Sequence, residues 1–199
     1  MPYPTQADIL AATDVLPWID EHILRLDPYA FPPGTYWKFV AKVAEELDVD
    51  PNGVFCIGSG AIGLSMNPKK VQGKNLKPFG PDSDLDLAIV SEVHFETAWR
   101  DLRRAAQPSR TAIDEVVRSN LSWQKGRLFD GAIIASKLLP SLSFGSEWLP
   151  ASVRVSQLAA QILDREIDVN LWIYRDYWSV RNYVSRGFIE SRKKIFNEL

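Results

Sequence analysis

Two aspartates, Asp84 and Asp86, stand one residue apart in the run Pro81-Asp82-Ser83-Asp84-Leu85-Asp86-Leu87-Ala88-Ile89-Val90. Leu85 to Val90 reads as a strand, and a strand sends alternate side chains to the same face. Asp84 and Asp86 then point one way, while Leu85, Leu87 and Ile89 point into a core. Two neighbouring carboxylates at the mouth of a buried strand cost free energy unless something cationic sits between them. A divalent ion, Mg2+ or Mn2+, suits carboxylate oxygens. Upstream, the apolar run Val54-Phe55-Cys56-Ile57 breaks into Gly58-Ser59-Gly60-Ala61-Ile62-Gly63. Glycines after a strand let the backbone approach a ligand closely and turn free N–H groups toward an anion. The Ser59 hydroxyl adds a donor. A phosphate cradle followed by a metal-binding acid pair points to a nucleotide or another polyphosphate.

Gly58-Ser59 followed by Ser83-Asp84-Leu85-Asp86-Leu87 resembles the signature of the nucleotidyltransferase superfamily with the polymerase-beta-like fold. The resemblance covers Val54 to Val90 well and Ile167 to Ile173 less well. Asn67-Pro68-Lys69-Lys70 and Pro78 to Asp84 also resemble a group of bacterial proteins of this superfamily. The resemblance implies a metal pair held by Asp84 and Asp86, and a third acid on a later strand. Asp168 fits that third place, as a catalytic group and a metal ligand. Asn170 lies on the same face of the same strand, and a shift of two residues would put its amide there instead. An amide can coordinate a metal but cannot act as a base at neutral pH. The implied nucleotide-binding set is Gly58, Ser59, Gly60 and Ser83, with Lys69 and Lys70 closing over the triphosphate. The implied reaction moves a nucleoside monophosphate from a nucleoside triphosphate to a hydroxyl, with two metals about 3.5–4 Å apart stabilising the attacking and leaving oxygens.

The acceptor is expected to be a small molecule or a protein side chain. With 199 residues, there is no room for a separate nucleic-acid-gripping domain, and the formal net charge of −2 does not suit an extended nucleic-acid interface. The alternative is a non-catalytic domain that keeps the fold and binds a nucleotide or a partner. The sole cysteine, Cys56, cannot form an internal disulfide and falls in an apolar run, so it reads as a core residue. Met1 to Asp8 lacks the pattern of a signal peptide, and no apolar stretch approaches the ~20 residues that span a bilayer. These features lead to the expectation of a cytoplasmic protein.

The elements that must position this chemistry read as a mixed α/β (α+β) fold. A small mixed sheet, which the resemblance implies is of the nucleotidyltransferase type, is expected to be backed by helices on one face, with helical N- and C-terminal additions. One domain is expected over 1–199: a helical part over 1–50, the core over 53–175 and a terminal helix over 176–199. Composition agrees, with 46% hydrophobic residues, seven Trp, nine Phe and six Tyr. Thr5 to Leu26 reads as helical, broken or restarted at Pro17. Thr35 to Leu47 is amphipathic, with Trp37, Val40, Ala41, Ala44 and Leu47 inward. Ser65 to Pro81 is a long connection carrying Lys69, Lys70, Lys74 and Lys77, with no acidic residue between Ala61 and Pro81; loops of that length are usually functional or mobile. Helices follow over His94 to Ala106 and Thr111 to Arg127. Gly131 to Ser143 stays ambiguous between strand, helix end and buried turn. Pro150 is expected to open a helix over Ala151 to Leu163. Ile167 to Tyr174 is a strand with Val169, Leu171 and Ile173 on one face and Asp168, Asn170 and Trp172 on the other. The last helix, Asp176 to Asn197, carries Arg181 and Arg186, read as surface charges.

Overall fold

A computed structural model describes residues 3–24, 27–107 and 115–197. The chain forms an α+β fold built on a four-stranded sheet of order β1-β2-β4-β3. The strands are β1 (Val54–Ile57), β2 (Leu85–Val90), β3 (Ala132–Ile134) and β4 (Val169–Tyr174). β1 runs antiparallel to β2, β2 parallel to β4, and β3 antiparallel to β4. The ambiguous stretch after Gly131 is thus a short edge strand followed by two 3-10 turns, Ala135–Lys137 and Leu139–Ser141.

β2 and β4 meet in a parallel register that pairs Leu85 with Val169 and continues to Val90 with Tyr174. Leu85, Leu87, Ile89, Leu171 and Ile173 are fully buried and share the main core with residues of α3 (Tyr36–Leu47), α5 (Glu92–Ala105) and α7 (Gly145–Leu163), among others. The opposite sheet face carries Phe55, Asp86, Trp172 and Tyr174. It is apolar enough to need a cover of its own, and α8 (Tyr177–Asn197) supplies it. Tyr183 of α8 packs its ring 5.3 Å from Trp172 and 5.7 Å from Tyr174, while Phe55 stacks on Tyr177 at 5.8 Å. Helices therefore cover both faces of the sheet, not the single face expected.

A second core lies under the lysine-bearing connection. Met66, Val71 and Leu76 are buried with Ile9, Ile19 and Ile23 of the N-terminal helices, Ile62, and Phe188 and Ile195 of α8. Those N-terminal helices are α1 (Gln6–Ala11), opened by a Thr5–Asp8 capping box, and α2 (Val15–His22). Pro17 does not separate them; it sits in the first turn of α2, where a missing N–H is harmless. The connection is therefore folded. Ser65 N–H donates to Lys77 O at 2.8 Å, Phe79 N–H to Gly63 O at 2.8 Å, and Leu76 N–H to Gln6 Oε1 at 2.8 Å.

Other helices depart from their expected limits or faces. α3 buries Tyr36, Phe39, Val40, Val43, Ala44 and Leu47, whereas Trp37 is 63% exposed and Ala41 is also exposed. The two stripes are one residue apart, and Tyr36 decides between them: its buried hydroxyl accepts the Cys56 N–H at 2.6 Å, locking α3 onto β1. Pro150 lies inside α7 and forgoes one backbone hydrogen bond there. The helix expected from Thr111 is described only over α6 (Glu115–Phe129); its expected start, 111–114, lies outside the described residues. Among the described residues, no helix is long and apolar enough to cross a membrane.

Candidate active-site cleft

β1 ends at Ile57, and the chain turns at Gly58 with φ 68° and ψ −148°. That conformation is essentially open to glycine alone. A Cβ on Gly58 would stand 3.1 Å from Asp86 Oδ2, so the turn lays bare backbone against the carboxylate. Ser59 follows at the start of the short α4 (Ser59–Ile62) and is buried. Gly58 and Ser59 both line a cleft of about 470 Å3. Gly60 does not. A Cβ there would come 2.8 Å from Leu85 Cδ1 and 2.9 Å from Cys56 Sγ, so packing on the core requires this glycine.

Asp86 projects from β2 beside the glycine turn, and Asp84 immediately precedes the strand. Asn170 stands opposite Asp86 in the β2–β4 register. Its Nδ2 donates to Asp84 Oδ2 at 2.8 Å and to Asp86 Oδ1 at 3.2 Å. Trp172 Nε1 also donates to Asp86 Oδ1, at 3.1 Å. Lys70 Nζ lies 3.3 Å from Asp84 Oδ1. Burial pushes the Asp86 carboxyl above the usual range, and the Asp84 charge adds to that; Trp172, Asn170 and Lys70 oppose it. Two carboxylates thus share two neutral donors and one half-exposed lysine, which leaves the local charge negative.

Asp168 is exposed, and its backbone carbonyl accepts the Leu85 N–H at 2.9 Å. It is Asn170, not Asp168, that the structure brings onto the acid pair. Among the described residues no three His, Cys, Asp or Glu side chains converge in a way that would hold a metal ion. Period-two alternation places both candidates on one face, and only the long-range register separates them.

Ser83 has a structural place as well. Its buried Oγ accepts the Gly80 N–H at 3.0 Å and its own N–H returns to Gly80 O at 3.0 Å, closing the turn before Asp84. Arg165, which no motif singled out, holds that turn. Its guanidinium lies 4.9 Å over the Phe79 ring and Nη1 donates to the carbonyls of Gly80 and Pro81. Lys69 and Lys70, in the 3-10 turn Pro68–Lys70, line the cleft. Lys74 and Lys77 do not; their carbonyls instead accept hydrogen bonds from Gln6 and Ser65 that brace the connection.

The far wall comes from the end of α6, the turn after it and α8, through Arg127, Asp130, Tyr183, Arg186 and Glu190. Arg186 Nη1 and Nη2 grip the buried Asp130 carboxylate at 2.5 and 2.6 Å. Arg181 points elsewhere, pairing with Asp20 of α2 at 2.7 Å through two bonds. α8 also fixes the lysine turn. A Cβ on Gly187 would meet Met66 O at 2.9 Å, Ser191 Oγ donates to Met66 O at 2.8 Å, and Lys194 Nζ reaches Pro68 O at 3.2 Å. These residues belong to no local pattern, so the sequence offers no signal for them.

Compared with known protein families, with curated proteins and with solved structures, the chain shows no match.

Proposed function

We propose that this protein is a metal-dependent nucleotidyltransferase that moves a nucleoside monophosphate from a nucleoside triphosphate to a hydroxyl of a small molecule or a protein. One observation carries the reading: bare backbone at Gly58 abuts the Asp86 carboxylate, and a shared amide binds Asp86 to Asp84. Open glycine backbone, which can offer N–H groups to an anion, adjoins cation-seeking carboxylates, the combination that a metal–triphosphate ligand requires.

The donor set fits Mg2+ or Mn2+. Asp84 and Asp86 supply carboxylate oxygens with surplus charge, and Asn170 supplies a third oxygen when its amide is turned over. A bound divalent ion neutralises charge on the phosphate and leaving oxygens. Gly58 and Ser59 receive phosphate oxygens through N–H and hydroxyl donors. Lys69 and Lys70 add positive charge at the same mouth. Asn170 holds both acids in place but takes no proton from the acceptor.

That last point favours a second reading, a nucleotide-binding domain without transfer activity. The discriminating experiment incubates the protein with Mg2+, α-labelled triphosphates and cell lysate. Transfer predicts a labelled acceptor that disappears with Asp86→Asn. Metal-dependent nucleotide binding with no labelled product favours the second reading. If calorimetry finds no Mg2+-dependent binding of any nucleoside triphosphate, both readings fall.

A further inference from the structure

We infer that the cleft seats two anions, the triphosphate at the glycine turn and a second phosphate or carboxylate at Arg186, so that the acceptor is a small hydroxylated molecule carrying an anionic group. This rests on the nucleotidyl-transfer reading.

The Arg186–Asp130 pair is the starting observation. Asp130 is 4% exposed, whereas the Arg186 side chain is 51% exposed and lines the cleft. Asp130 engages the terminal nitrogens through one N–H of each. A guanidinium has five N–H donors, so three are left over, including Nε–H and the N–H beside it. Those two form a second fork of the kind that takes a phosphate or carboxylate in bidentate fashion. Asp130 fixes the plane of the group in advance, which lowers the entropy cost of using that fork.

The surroundings agree. Arg127, in the last turn of α6, lines the same wall, as does Tyr183. The cleft-lining cations sit on two structural units: Lys69 and Lys70 on the turn by Gly58, and Arg127 and Arg186 on the helices, where the carboxylates of Asp130 and Glu190 stand beside them. Lys70 answers Asp84, so the lysines already have the acid pair and the triphosphate to serve. A cleft of about 470 Å3 bordered by a loop and two helices suits a small ligand.

The test uses the full chain loaded with Mg2+ and a triphosphate analogue that cannot be cleaved between its α and β phosphates. Inorganic phosphate, and separately acetate, are titrated into that complex by calorimetry. We expect saturable phosphate binding with the nucleotide retained. Arg186→Lys keeps a cation over Asp130 but lacks the second fork; it should weaken phosphate at least fivefold more than it weakens the analogue. Arg186→Gln should weaken it more than tenfold, with thermal melting as the folding check. Acetate binding as well as phosphate points to a carboxylate acceptor, and phosphate alone to a phosphorylated one. Displacement of the analogue by phosphate, equal losses for both ligands in Arg186→Lys, or no binding of either anion overturns the inference; a labelled protein acceptor in the transfer assay does so too. Should the analogue itself fail to bind, the parent reading fails, and phosphate titration of the free wild-type and Arg186→Lys chains still decides the Arg186 seat.

Discussion

Asn170 faces Asp86 across the parallel β2–β4 register, and its one amide nitrogen donates to both Asp84 and Asp86. The amide thus does for the acid pair part of what a cation would do. Asn170→Asp replaces a shared donor with a third negative charge. Hydrogen bonds to charged groups are each worth roughly 1.5–3 kcal/mol, so without metal the variant should lose at least about 2 kcal/mol. For a chain of this size that is roughly 4–8 °C in Tm. Added Mg2+ should then raise the Tm of the variant more than that of the wild type, because three carboxylates hold the ion better than two. Differential scanning fluorimetry with and without MgCl2 measures both. Identical curves in the two buffers would count against any metal site here.

The glycine turn yields a second prediction. Gly58→Ala forces a side chain into a conformation that costs of order 1–3 kcal/mol, and sets its methyl against Asp86 Oδ2. The Tm should fall by roughly 2–4 °C for each kcal/mol lost, and Mg2+-dependent triphosphate binding should disappear. Gly80→Ala is the control, since a Cβ there meets nothing within 4 Å; its stability should stay within about 0.5 kcal/mol of wild type. A Gly58→Ala chain that binds nucleotide normally would show that the turn has no part in the site.

What could be read from the chain divides along physical lines. β1, β2 and β4 were legible because apolar alternation over a few residues is a local signal. The face of β4 was legible for the same reason, and Asn170 and Trp172 do share the side that meets Asp86. The choice between Asp168 and Asn170 was not, because alternation treats residues two apart alike and only pairing with a distant strand separates them. β3 is three residues long, too short to show a period. Trp37 misled because α3 has two overlapping apolar stripes, and contact with β1 selected one. Ser83 and Gly60 stood within the recognisable motif yet serve turn closure and core packing. Arg165, Arg186, Ser191 and Lys194 act across 56 or more residues of chain, a distance no local pattern encodes.

The clamp from α8 gives a third prediction. Ser191 is 1% exposed and is hydrogen-bonded to Met66 O at the base of the lysine turn. Ser191→Ala leaves that carbonyl without this donor, at a cost of about 1–3 kcal/mol. The loss should be felt locally. Hydrogen exchange over 65–71 should speed up, while exchange in β2 and β4 tracks only the global change in stability. Ser191→Thr keeps the hydroxyl and should restore protection. If Ser191→Ala loosens the whole chain uniformly, the residue is a core contact with no special hold on the turn.

His94 gives the pH prediction. Its ring packs 4.9 Å from Trp148 and 5.1 Å from Phe144, and Nδ1 lies 2.9 Å from Ser91 Oγ. Burial lowers its pKa below the ordinary histidine value, with Asp48 pulling weakly the other way. The Ser91 hydroxyl already accepts the His94 N–H as the cap of α5, and it can give its proton to a neutral Nδ1. A protonated Nδ1 would instead press a second donor on that oxygen. Because the folded pKa is depressed, the unfolded chain takes up a proton first as the pH falls below about 6.5, the model-peptide value. Stability is therefore fully present above that pH, declines as the pH drops toward the folded pKa, and levels off below it. His94→Gln removes the titrating group. Urea midpoints at pH 7.5 and 5.0 should show a larger acid loss for wild type than for the variant. Equal losses would mean that carboxylates alone set the acid limb and that the imidazole is no more buried in the native state than in the unfolded one.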